Sequence, residues 1–374
     1  MSREYGYDNI GDTWRDREER RKTSEKLIKA IEQNTPPLSK FQASPEHTQI
    51  RRHENYVRNK ENLWEKPSVQ AQSLEALFQM GVAQGRLLND PENSTYTTKP
   101  IWTTRYDDIR NRIDAAAVIH ATPESNNDGV ETDIVFGFDL TLTTEDAKIE
   151  DKLFINTNDP DAHYPVGFSQ IEYYESPDGQ LGKQRYVPRF CIGISEESVN
   201  NYLDDTSVDR NGVPHVRSGA DVVPSFKILY EMSLQSGLFE GPLYAKLDKG
   251  TITPEEEDAL NQLAILDNIY TKELDRITKK LPLWLVGKCK AKDGKISTDE
   301  VARVLMHDED YADPVFAKIV QLTEKASAAF DETEDEDGVY DPEALERKRA
   351  EVIAKKFGHA AVNAANNTIK DKAS

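Results

Sequence analysis

Sulfur is scarce in this chain. There are two cysteines in 374 residues, Cys191 and Cys289, and no CxxC pair. That count argues against a disulfide framework and a structural zinc site. Both thiols lie in or beside apolar runs, where cysteine packs rather than reacts. No run approaches the roughly 20 apolar residues that span a bilayer, and the N-terminus MSREYGYDNIGDTWRDREERR lacks the apolar core of a signal peptide. The expectation is a soluble, reduced, cytoplasmic protein with no membrane partner. Positive charge is also short: 47 Lys and Arg stand against 67 Asp and Glu, a formal charge of −20. An acidic surface repels phosphate backbones and argues against a generic nucleic-acid coat protein. It leaves room for a nuclease, whose cleft alone must be basic or metal-neutralised. No GxxxxGKS loop and no GxSxG elbow occurs, so ATPase, kinase and α/β-hydrolase readings have no support. The seven histidines form no HxxxH pair, and His163 near Asp159 and Asp161 is a weak metal signal.

What is present is polar and helical. A hydrophobic fraction of 37% and a mean hydropathy of −0.70 predict exposed helices or tails around a smaller core. Charged helices are expected over 13–33 and 45–64. The second is locally basic through Arg51, Arg52, Arg58 and Lys60, either a solvated face or a partner or nucleic-acid contact. A clearer amphipathic helix covers 68–87, followed by a loop over 88–98. Strands are expected at 113–121 and 132–142 around the turn segment PESNNDG, at 166–174 and at 186–194. Helices follow at 144–153, 195–203, 224–235 and, from the capping box Thr253-Pro254-Glu255-Glu256, to about Lys280. CKAKDGKISTDE partly matches an EF-hand loop, but Cys289 and Ala291 stand where its first two acidic ligands belong. A helix from Asp313 to about Phe330 leads to an acidic linker at 331–341 and a last helix with a tail. The expected division is a charged helical extension (1–66), an α/β core (67–235), a helical region (236–330) and a linker with a C-terminal helix (331–374).

Chemistry concentrates between Thr104 and Thr141. Two apolar runs, Ile113 to Ala121 and Ile134 to Leu142, each hold a carboxylate: Asp114 at the mouth of the first and Asp139 between Phe138 and Leu140. A charge in a core strand is costly unless it is paired or holds a metal. Carboxylates on adjacent strands of one hairpin can converge at one end of a sheet. Mg2+ or Mn2+ bound by a few carboxylates and waters is what phosphodiester hydrolysis needs. Glu75 on the preceding helix offers a further oxygen, and Lys148 and Lys152 offer a cation to orient water. Each residue has a plain structural reading as well. Glu75 reads as an exposed helix glutamate, Asp114 as a strand-end hydrogen-bonding residue and Asp139 as a solvent-facing aspartate. Asp107 and Asp108, a further acidic pair just upstream, read as a turn or helix cap at least as readily as metal ligands.

This order of helix, hairpin, short helix, strand and helix, with Asp114 in RNRIDAAAVI and Asp139 in FGFDLT, resembles the PD-(D/E)XK superfamily over about residues 68 to 205. The resemblance implies a restriction-endonuclease-like α-β-β-β-α-β core. It implies Mg2+ or Mn2+ bound by Asp114 and Asp139 with help from Glu75, and a DNA or RNA substrate. The family's usual lysine position is Thr141 here, which cannot supply the charge. In some members the following helix supplies it, so the role falls to Lys152, or else to Lys148. Without a lysine in reach, the core is that of an inactive relative. The expected fold class is α+β, a small mixed sheet flanked by helices, with helical N- and C-terminal extensions. The competing reading is a non-catalytic interaction or assembly protein that docks protein partners on charged helices (13–64 and 251–357), which the −20 charge and acidic linker favour.

Overall fold

The computed structural model describes residues 14–44, 49–63, 67–85, 87–88, 96–122, 131–154, 164–176, 178–209, 214–216, 222–291 and 295–331. The expected tail at 1–12, the PESNNDG turn, His163, the acidic linker beyond residue 331 and the last helix lie outside these residues. Three helices come first: α1 (Trp14–Asn34), α2 (Ile50–Glu61) and α3 (Val69–Ala83). Then follow β1 (Tyr96–Ile101), α4 (Arg105–Asn111), β2 (Ala115–Ala121), β3 (Thr132–Thr141), α5 (Asp146–Phe154), β4 (Phe168–Glu175), β5 (Leu181–Gly193) and α6 (Glu196–Asp204). A small ribbon, β6 (Thr206–Val208) with β7 (Pro214–Val216), precedes the helices α7 (Val222–Asp248), α8 (Pro254–Thr278), α9 (Leu283–Lys288), α10 (Thr298–His307) and α11 (Pro314–Asp331).

The protein is a mixed α+β fold around a five-stranded sheet of order β1-β2-β3-β5-β4. β1, β2 and β3 form an antiparallel meander, and β5 lies parallel to β3 after a crossover through α5. Parallel neighbours need such a crossover, because a tight turn cannot return the chain in the same direction. β4 closes the edge antiparallel to β5. Both sheet faces are covered. Ala115, Ala117, Phe136, Phe138, Phe190 and Ile192 join the main core with Leu77, Phe78, Phe239 and Tyr270. Val118, Val135, Ile171 and Val187 form a second cluster on the other face, and Ile149, Leu153, Cys191 and Ile319 a third. A strand buried on both faces reads as an unbroken apolar run, which is why β2 and β3 were legible. No helix among the described residues is long and apolar enough to cross a membrane.

Several elements differ from the sequence expectation. β1 begins inside the expected loop, because its alternation of buried and exposed residues is only six residues long. β5 starts five residues before Tyr186, through the polar LGKQR stretch that pairs with β4. α7 runs through the expected boundary at 235/236, and its Leu238, Phe239 and Leu243 are buried in the main core. The N-terminal helices are not a detached extension either: Leu27 on α1 and Ile50 on α2 are buried. The capping box of α8 forms as expected, with Glu256 N donating to Thr253 Oγ1 at 3.2 Å and Thr253 N to Glu256 Oε2 at 3.1 Å.

Candidate active site

Helix α3 starts at Ser68, whose hydroxyl accepts from Ala71 N at 3.1 Å. Its apolar residues pack on the sheet, Phe78 meeting Phe138 at a ring separation of 4.3 Å. That docking fixes Glu75 and Gln79, one turn apart on a shared stripe, at the end of the sheet where β2 begins. Gln79 Nε2 donates to the Asp114 carbonyl at 3.1 Å, and Thr103 Oγ1 donates to the same oxygen at 3.3 Å. Arg112, at φ 54°, ends α4 in the left-handed region and swings the chain into β2.

Asp114 stands at that bend. Extended backward, the β2–β3 register would set it opposite Asp139. Instead its amide donates to the Phe138 carbonyl at 2.8 Å, and its Oδ2 accepts from Leu140 N at 2.8 Å. One carboxylate oxygen is thereby spent on the strand and the other is left for the cluster. α4 delivers two further aspartates to opposite sides. Asp107 is fully buried and accepts from Thr104 Oγ1, Asn111 Nδ2 and the amides of Glu172 and Tyr173, tying α4 to β4. Burial lifts its carboxyl to about 6 against the pull of those bonds. Asp108 turns the other way. It pairs with Arg105 and lies beside Asp114. Burial and the Asp114 charge hold Asp108 well above the usual carboxylate range, with Arg105 opposing. Glu75 is pushed up to about 9 by burial, then by the charges of Asp108 and Asp114. Glu75, Asp108 and Asp114 therefore form one crowded, half-buried acidic cluster.

Asp139 has a different environment. It is 2% exposed and ion-paired twice, to Lys152 and to Arg189 Nη1 at 2.9 Å. Lys152 Nζ also donates to the Leu140 carbonyl at 3.1 Å, and Arg189 Nη2 donates to the Lys152 carbonyl at 2.7 Å. Burial lowers Arg189 to about 10, which leaves it charged at neutral pH. Asp139 thus fixes the β3–α5 crossover and points its oxygens at cations, with Asp114 close enough for its charge to be felt at Arg189. Lys148 pairs with Glu145 at 2.7 Å on the solvent side, with its side chain 62% exposed, and takes no part in this arrangement. Of the sequence candidates, the structure gathers Glu75 with Asp114 and Lys152 with Asp139.

Three residues of this neighbourhood were passed over in the sequence or left as bland. Asp108 carries a signal that a turn or helix cap explains as well as metal binding does. Arg189 carried a usable signal: it interrupts the apolar run YVPRFCIGI as Asp139 interrupts its own. Gln79 carried none. Its Oε1 is buried and accepts no hydrogen bond among the described residues, beside a backbone carbonyl that its own amide holds. Carboxyl oxygens with an unmet amide oxygen make a hard donor set, the kind that suits Mg2+ or Mn2+. No three Asp, Glu, His or Cys side chains among the described residues already stand in a metal-holding arrangement. The partial EF-hand is otherwise engaged, since Glu300 accepts from Lys290 N and from Arg303. Cys191, buried on β5 and raised to about 12 by that burial, is a packing thiol. A groove of about 740 Å³ lined by Lys183, Arg185, Tyr186, Glu255 and Asp258 shares no residue with the cluster. Comparisons with protein families, with curated proteins and with solved structures gave no match.

Proposed function

We propose that this protein is a metal-dependent phosphodiesterase of the nuclease type. The observation that carries the reading is the crowding of Glu75 and Asp108 beside Asp114: burial first, and then the neighbouring carboxylate charges, raise the proton affinities of Glu75 and Asp108. The order α3-β1-β2-β3-α5-β5, with β5 parallel to β3, supports it, since the PD-(D/E)XK resemblance implies that same α-β-β-β-α-β order. On this reading α4, between β1 and β2, and β4, at the sheet edge, are additions to that core. Asp114, Asp108 and Glu75 would hold Mg2+ or Mn2+, with Gln79 Oε1 beside them. When bound, such an ion supplies a nucleophilic water and offsets charge on the phosphate. The side chains do the rest. Lys152, 25% exposed and anchored by Asp139, offers its ammonium to a phosphate oxygen or an attacking water. Arg189 fixes that anchor from within the core. Glu75 holds a proton at neutral pH and must release it to ligate, so metal binding tightens as pH rises.

A second reading is favoured by one observation. Asp139 is fully compensated by two cations, as in a purely structural pair, so the chain would be an inactive relative or an assembly protein. Labelled single- and double-stranded DNA and RNA, incubated with Mg2+, Mn2+ or EDTA, separate the two. The variants to use are Asp108→Asn and Asp114→Asn, because Asp139→Ala would leave Arg189 buried without its partner. Metal-dependent cutting that both variants lose is the expected result. No cutting of any substrate, with no metal binding by calorimetry, would sink the nuclease reading.

A further inference from the structure

Helix α2 lies outside the α-β-β-β-α-β core, yet it is docked beside the acidic cluster. Its inner face is aromatic. His53 stacks on Tyr106 of α4 at 4.1 Å and its Nδ1 meets the Tyr173 hydroxyl at 2.7 Å, while Tyr56 packs edge-on to Tyr106 at 5.8 Å. Arg105, which pairs with Asp108, also reaches Glu61 at the end of α2 at 3.3 Å. The helix is therefore held rigidly against the element that carries Asp108.

Its outer face is basic and polar. Arg51, Asn55, Arg58 and Asn62 follow one another at helical spacing, with Arg52 and Asn59 alongside, and all six are exposed. No carboxylate interrupts them. Glu61 is turned to Arg105, and Glu54 lies on the inner edge near Tyr173. Among the described residues Arg51 and Arg58 make no ion pair, and Arg52 makes only a long 3.4 Å bond to Gln49. In a chain of net charge −20, three arginines on one face with no acidic partner among the described residues are a concentrated exception.

We propose that this outer face of α2 is a docking surface for the phosphate backbone of duplex DNA, leading it toward the cluster on α3 and α4. The inference rests on the nuclease reading for its choice of a nucleic acid. Charge complementarity carries the rest. From Arg51 to Asn62 the face is roughly 16 Å long, about the axial rise of five base pairs of duplex. Arginine gives bidentate phosphate contacts and asparagine adds neutral donors. A duplex is favoured over a single strand because this face presents no aromatic ring for bases to stack on, Tyr56 being turned inward. DNA is favoured over RNA because a helix can lie along the wide major groove of B-form DNA with these arginines against the flanking phosphates, which the deep, narrow groove of A-form RNA does not admit.

The test is binding of a fluorescent DNA duplex to the full chain, by anisotropy in EDTA so that nothing is cut, over a salt series. The variant is Arg51→Gln, Arg52→Gln and Arg58→Gln together. Glutamine keeps the helix, and an unchanged thermal midpoint verifies the fold. Lys249→Gln, Lys272→Gln and Lys279→Gln together, all exposed elsewhere, make a control of equal charge change. The arginine variant should bind more than tenfold more weakly at moderate salt. Its log K against log salt slope should be shallower by about 0.9 per arginine lost, with the control unchanged. Equal weakening in the control would overturn the proposal, as would unchanged binding by the arginine variant, no duplex binding by the wild type, or tighter binding of an RNA duplex. Arginine-dependent duplex binding without metal-dependent cutting would remove the nuclease reading and leave this surface standing. Cutting with arginine-independent binding would do the reverse.

Discussion

Glu75→Gln converts the crowding of the acidic cluster into a stability measurement. Burial and the nearby Asp108 and Asp114 push the Glu75 carboxyl from an ordinary 4.5 to about 9. The folded protein then holds that proton more tightly than the unfolded chain does. The resulting stabilisation is complete below about pH 4.5 and is lost progressively as pH rises toward 9. Glutamine keeps the shape and stays neutral at every pH, so it escapes the loss. At about 1.36 kcal/mol per pH unit the ceiling is about 6 kcal/mol. Glu75 is only half-buried, and solvent screening brings the expected gain to about 1–2 kcal/mol at pH 8. In EDTA at pH 8 the variant should melt about 2–6 °C above the wild type, and the difference should vanish at pH 4.5. A divalent cation should reverse the order. At a hundredfold excess over its dissociation constant, a ligand adds about 2.7 kcal/mol to a protein that binds it, and the variant has lost one ligand. Differential scanning fluorimetry at three pH values, with EDTA, Mg2+ or Mn2+, reads all of this. A variant less stable than the wild type at pH 8 in EDTA would refute the reasoning, because it would mean that Glu75 is ionised and held by Arg105.

Two further perturbations probe the buried half of the site. Arg189→Met leaves Asp139 in the core with Lys152 alone, and breaking a buried pair in this way should cost about 3–5 kcal/mol, read as a lower urea midpoint by circular dichroism. A loss under about 0.5 kcal/mol would show that Lys152 suffices. Lys152→Met should abolish metal-dependent cutting while leaving metal affinity by calorimetry within about threefold. Lys148→Ala, whose side chain is 62% exposed and paired only with Glu145, should leave both unchanged, and an equal loss of cutting in the two variants would contradict the separation drawn here.

The parts of the fold that were legible are those where one physical signal dominates. β2 and β3 are buried on both faces and announce themselves as apolar runs. α8 begins at a capping box whose reciprocal bonds form. The parts that were not legible rely on partners far away in sequence. β1 is a polar six-residue edge strand that exists because β2 lies beside it. α7 continues past Gln235 through Gly237, Gly241 and Pro242, which argue for a break locally, because Leu238, Phe239 and Leu243 find the core. The adjacent pair Asp107 and Asp108 could not be divided by pattern. A helix turns about 100° per residue, which sends Asp107 to the amides of β4 and Asp108 to Asp114, and only the position of α4 decides which goes where.

The same reasoning explains why the two carboxylates singled out by burial do different things. A buried charge demands compensation, and the sequence shows the demand without showing how it is met. Asp139 receives two cations, Lys152 and Arg189, inside the core. Around Asp114 the balance is inverted: the carboxyls of Glu75, Asp108 and Asp114 crowd together, with Arg105 paired to Asp108 and the Lys152 charge felt there as a smaller influence. Burial and this crowding raise the proton affinities of Glu75 and Asp108. A proton held by burial and by neighbouring carboxylates is displaced by a cation that offers more charge. The over-compensated aspartate is therefore the one suited to anchoring a lysine, and the under-compensated cluster beside it is the one suited to taking up a metal ion.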